Sequence, residues 1–169
     1  MSKKRIGAAL AIAAVLGLAF FLHNQTIPGG YAPADDEIAL YIQLDTKEDI
    51  GLLVFDYSAN GSNQSGGMSN ADKSLMKHDE RLINVWTKET LQCSADTVAL
   101  SIQFRIITEY VDPNYENIYP DGITKYADAP IAWDARFGES YFITITGDQA
   151  NGYKAVLNER EQDAKNGPG

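Results

Sequence analysis

Apolar and polar residues alternate with a period of two through much of the chain. Ile38, Leu40, Ile42 and Leu44 fall between Glu37, Ala39, Tyr41, Gln43 and Asp45, and Val98, Leu100, Ile102, Phe104 and Ile106 repeat the pattern. Successive side chains of a strand point to opposite faces, so each run predicts a β-strand with one buried face. The segments 50–57, 82–90 and 141–146 are further strand candidates, rich in the Ile, Val, Phe, Tyr and Thr that suit a pleated, half-buried surface. A short strand is expected at 131–133. Asn151-Gly152 predicts a hairpin joining 141–146 to 153–157, because this pair tolerates the positive φ of a tight turn.

Two segments break the period. Ser69, with Asp72 three residues on, has the spacing of a capping arrangement, and Ala71, Leu75, Met76 and Lys77 predict a two-turn helix ahead of the strand at 82. At the N-terminus, Lys3, Lys4 and Arg5 precede the uncharged run 6–22, which predicts a hydrophobic helix. A run of that length reaches about 26 Å as a helix, at the lower limit for a hydrocarbon core of about 30 Å. It also exceeds the roughly 7–15 residues of a cleavable signal. Cleavage after Gly17-Leu18-Ala19 and retention as a single anchor therefore both stand. In either case the basic cluster stays cytoplasmic and the chain beyond residue 22 is exported. Lipid anchoring is excluded, because no Cys ends the run.

The expected architecture is an all-β antiparallel sandwich of about seven strands with one short helix, preceded by the N-terminal hydrophobic helix. The pattern resembles immunoglobulin-type sandwiches or a related Greek key, without the paired cysteines of antibody domains. The expected organisation is a signal or anchor at 1–22, a flexible linker at 23–34 holding Pro28, Gly29, Gly30 and Pro33, an extracytoplasmic sandwich at 35–157 and a polar tail at 158–169. The sandwich has the length for one core and not for two.

Charge narrows the partners. The chain has 14 Lys and Arg against 23 Asp and Glu; without Lys3, Lys4 and Arg5 the balance is 11 against 23, a formal −12. Such a field repels phosphate backbones, so nucleic acid is excluded as a partner. Membrane contact is expected only through 6–22, if that run is uncleaved. The single cysteine, Cys93, makes no internal disulfide and is expected as a small buried core residue. His78 is expected on an exposed, mixed-charge surface. The chain contains no nucleophile elbow, no Cys-x-x-Cys and no Gly-rich dinucleotide turn, so nothing in it supports an enzyme beyond an unidentifiable carboxylate pair.

Candidate chemistry lies in four places. Residues 58–69 read as a long polar loop of Gly, Ser and Asn between strands, a usual position for recognition. Asp56-x-Ser58-x-Asn60-Gly61 matches the start of a calcium loop, but Gly67 stands where a bidentate Glu is needed. Asp112, Asn114, Glu116 and Asp121 form a second oxygen-rich set, and calcium is the one cofactor these patterns admit. Aromatic residues crowd between Tyr110 and Phe142 among Asp, Asn and Glu. Tyr115, Tyr119, Tyr126 and Trp133 are the ligand-binding candidates, since sugars pair an apolar C–H face with hydroxyls. Asn24, Asn60 and Asn63 are Asn-x-Ser/Thr sites. The expected role is an exported or membrane-anchored binding module for a glycan or protein on the cell surface. The alternatives are a carboxylate-dependent glycan hydrolase and a purely structural envelope protein.

Overall fold

The two alternating runs become the central strands of two facing sheets. The computed structural model describes residues 30–111 and 119–158. The chain divides into two compact units, Met1–Tyr31 and Ala32–Gly169, and the fold described is that of the second. Its strands are β1 (Glu37–Thr46), β2 (Leu52–Ala59), β3 (Ser62–Met68), β4 (Arg81–Thr87), β5 (Thr97–Ile107), β6 (Thr124–Tyr126), β7 (Ile131–Arg136), β8 (Ser140–Asp148) and β9 (Gly152–Asn158). One sheet has the order β4-β1-β8-β9. In the other, β5 pairs with β2 on one side, β3 lies beyond β2, and β6 and β7 succeed one another along the opposite edge of β5.

The inward residues of β1, namely Ile38, Leu40, Ile42 and Leu44, are fully buried and belong to one core cluster with Val98, Leu100, Ile102, Phe104 and Ile106 of β5. Aromatic residues fill the space between the sheets. Phe55 lies edge-on to Trp86 at 6.3 Å between ring centres, and Tyr57 lies 5.1 Å from Trp86. Cys93 is buried in the same cluster. Every described strand and core residue lies within the 32–169 unit, which thus carries its own core.

The fold departs from the sequence expectation in several ways. The sandwich is not purely antiparallel. β1 and β8 run parallel in register from Ala39↔Ser140 to Thr46↔Gly147, so the first sheet is mixed while the second is antiparallel throughout. Alternation specifies which side of a strand is buried but not the direction of its neighbour.

No helix forms at 71–77. Met76 instead makes an isolated antiparallel bridge with Ile50, and the Asp72 carboxylate accepts the Ser74 N–H at 3.0 Å and its hydroxyl at 2.6 Å. Such local side-chain bonds compete with the helical ladder, and one buried residue, Met76, is too little apolar face to repay nucleation. The described residues contain no helix at all, hence none long and apolar enough to cross a membrane. The transmembrane helix or signal anchor expected at 6–22 is therefore not among them, and that run lies outside the described residues.

The polar loop expected at 58–69 is a tight hairpin. Asn60 (φ 49°) and Gly61 (φ 86°) form a two-residue turn between Ala59 and Ser62, and β3 runs back along β2. Gly66 is required here, because an added Cβ would stand 2.5 Å from the ring of Phe55. In the β8–β9 hairpin Asp148 faces Gly152, so the turn is Gln149, Ala150 and Asn151 rather than Asn151-Gly152. The Asp148 carboxylate closes it by accepting the Asn151 N–H at 2.7 Å.

Candidate functional site

The outer face of the antiparallel sheet carries the polar half of the alternation. On β5 the outward residues Ser101, Gln103 and Arg105 stand opposite Ser58, Asp56 and Val54 of β2, and beyond β2 come Asn63 and Ser65 of β3. Together with Pro130, polar side chains of this face line a shallow groove of about 560 Å³. Its wall beside β6 is held by Gln103, whose amide nitrogen donates to the carbonyls of Ala127 and Asp128, both at 2.7 Å.

Arg105 organises one end of this face. Its Nη2 donates to both carboxylate oxygens of Asp56, at 2.7 and 2.6 Å. Its guanidinium lies 4.1 Å from the ring centre of Tyr119 and 5.6 Å from that of Tyr126. The Arg105 side chain is only 13% exposed, and its Nε is buried with no hydrogen-bond partner. A buried guanidinium needs compensation; here Asp56 supplies it through charge and two aromatic faces through their rings. Tyr126 is 61% exposed, and among the described residues no other aromatic side chain stands so open.

The aromatic candidates separate. Tyr119 and Tyr126 meet on Arg105, whereas Trp133 lies opposite Leu100, with its ring 5.8 Å from Tyr141 of the facing, mixed sheet. Its indole nitrogen is buried without a partner, so Trp133 packs between the sheets and is not on the groove. Most other described aromatic side chains are core. Tyr115 lies outside the described residues, as do Asp112, Asn114 and Glu116; Asp121 is exposed on a turn. Among the described residues no three His, Cys, Asp or Glu side chains come close enough to hold a metal ion. The calcium-loop start diverges: Asp56 is committed to Arg105, while Asn60 accepts the Ala99 N–H at 3.1 Å.

Arg105 and Gln103 carry no motif in the sequence, and Asp56 is marked there only as the start of the calcium-loop match. They are the polar positions of the β5 and β2 alternation, which marks a solvent face but not its neighbours; Arg105 and Asp56 are 49 residues apart.

Four carboxylates elsewhere in the domain, Asp49, Asp72, Asp96 and Asp148, are held down by local hydrogen bonds. Hydrogen bonds from Lys77 and then His78 hold the Asp49 carboxyl down at about 2. Asp148 is held well below the usual range by Lys47 (2.6 Å) and Asn151, Asp96 is lowered by Lys88, and Asp72 by Ser74. The Tyr153 hydroxyl donates to Glu48, and burial, then that carboxylate, pushes its pKa up. A glycoside-cleaving acid needs a carboxyl shifted upward, and all of these carboxyls move downward.

No protein-family model and no curated protein sequence matches the chain. Several solved structures bear a distant likeness, and three of them illustrate it. One is "Structure of the membrane-binding domain of pneumolysin", with a TM-score of 0.36 and 8% identity over 73% of this chain and 97% of that one. A second is "Structure of pneumolysin at 1.98 A resolution", with a TM-score of 0.37 and 10% identity over 75% of this chain and 24% of that one. The third is "Crystal structure of the human-specific toxin intermedilysin", with a TM-score of 0.32 and 11% identity over 73% and 24%. At these scores none of them bears on what this chain binds.

Proposed function

We propose that the domain is a non-catalytic binding module that takes a neutral saccharide on the outer face of its antiparallel sheet. The observation that carries this reading is the exposed ring of Tyr126 beside the Arg105–Asp56 pair, at the end of a groove of Ser, Asn and Gln side chains. A sugar ring laid on Tyr126 would meet an apolar face, while its hydroxyls would meet amides and hydroxyls along the groove. Arg105 is already neutralised by Asp56, so it offers no unpaired cation for an acidic sugar. The module's place outside the cytoplasm is supported by the basic cluster ahead of the apolar run.

The test is binding of the 32–169 unit to an array of immobilised neutral oligosaccharides. Tyr126→Ala should weaken binding roughly tenfold, the loss of about 1.4 kcal/mol from one aromatic platform. Trp133→Ala should leave affinity intact and lower thermal stability. If the parent binds no saccharide, or if both variants lose it equally, the reading is wrong.

A further inference from the structure

The hairpin register shows which backbone groups β3 leaves open. Ala59 and Ser62 flank the two-residue turn and are a hydrogen-bonded pair, and the alternation of an antiparallel ladder makes Tyr57↔Gln64 and Phe55↔Gly66 bonded pairs too. Asn63, Ser65 and Gly67 therefore point both N–H and C=O away from β2. All three are exposed, and among the described residues none makes a further backbone bond. β3 is the outermost strand of its sheet.

Exposed edges are ordinarily protected by charge, proline or bulges. The other three edges of the sandwich carry such devices: Arg81 in β4, Lys154 in β9, and Lys125, Pro130 and Arg136 along β6 and β7. β3 carries none, with the sequence Ser-Asn-Gln-Ser-Gly-Gly-Met and an unbroken ladder to β2.

We propose that this edge pairs antiparallel with the β3 edge of a second copy of the chain, joining two antiparallel sheets into one. The strand is self-complementary about a two-fold axis through Ser65. In that register Ser65 faces Ser65, and each Asn63 faces Gly67, so the longest outward side chain lies against the residue with none. Each facing pair exchanges two backbone hydrogen bonds. Charge permits the approach: the nearest ionised group across the ladder is Asp56, opposite Ser65, and it is already paired with Arg105. Strand pairing alone covers less than the ~1,200 Å² of stable complexes, so the dimer is dissociable, with Kd about 10 µM to 1 mM. The pairing does not depend on what the groove binds. Its axis runs perpendicular to the sheet, however, and sets the two grooves side by side on one face.

Cross-linking of the full chain tests the proposal. In Ser65→Cys the two thiols would face each other across about 5.5 Å between Cα atoms, within disulfide reach. Under mild oxidation this variant should run as a covalent dimer on a non-reducing gel, while Ser101→Cys, in the middle of the same face, should not. Adding Gly67→Pro to Ser65→Cys removes an edge donor without touching the β2 ladder, and should lower dimer yield several-fold at unchanged circular dichroism. Equal cross-linking of Ser65→Cys and Ser101→Cys would overturn the proposal, as would a yield indifferent to Gly67→Pro.

Discussion

Single side chains set the tolerances of this domain. At Gly66 the ring of Phe55 occupies the space a methyl group would need, and Phe55 is itself wedged among Trp86, Phe104 and Tyr57. Gly66→Ala should therefore destabilise by about 1–3 kcal/mol, read as a lower urea midpoint with an unchanged slope. Neither the glycine nor its reason was legible in the sequence, where Gly66-Gly67 reads as loop; the need arises from a ring on the neighbouring strand. The depressed carboxylates predict an acid limb. Asp49 and Asp148 have folded pKa values below their unfolded ones, so their stabilisation is complete above about pH 5 and is lost as pH falls toward 2 and below. Melting temperature should be flat with respect to these groups from pH 7 to about 5 and then fall. In Asp148→Asn the neutral pH value should drop and the acid slope should flatten; a parent equally stable at pH 7 and pH 2 would contradict the assignment.

At the scale of elements, the strongest alternations were legible and the polar strand was not. β1 and β5 emerged from their apolar period, and Cys93 went to the core as a small buried residue. β3 has only Met68 as an apolar side chain, so it presents no period to read, and β6 is three residues long. The β2–β3 turn is what makes β3 a strand. Asn60 sits at positive φ, donates its N–H to the Ala99 carbonyl at 2.9 Å and accepts the Ala99 N–H on its side chain, tying the hairpin to β5. Asn60→Ala should cost about 1–2 kcal/mol through the lost bond and the strained backbone, measured by chemical denaturation. The helix expected near 71–77 failed for the converse reason. Its segment is spent on a bridge to Ile50 and an Asx turn, and the bridge needs a partner far away in the chain.

For the whole molecule, closure of the first sheet depends on strands from the two ends of the domain. β1 receives β8 as a parallel neighbour, and Lys47 joins Asp148 across 101 residues of chain. Ending the chain after Gly138 would remove β8 and β9, uncover one side of β1 and expose core residues such as Ile42 and Leu44. That truncation should show no cooperative thermal transition, whereas the 32–169 unit should melt as one unit; a cooperative melt of the truncated chain would show that β1–β7 suffice. Of the candidate site, the aromatic stretch pointed to Tyr119 and Tyr126, which meet on Arg105, but also to Trp133, which packs inward. The sequence by itself determined which residues alternate between core and solvent, because a strand's period of two is a local property of each side chain's polarity. Tertiary structure alone decided the parallel pairing of β1 with β8, the Arg105–Asp56 pair and which aromatic rings stay exposed. Each of these is an energy between groups far apart in the chain, and only the closed sandwich brings them together.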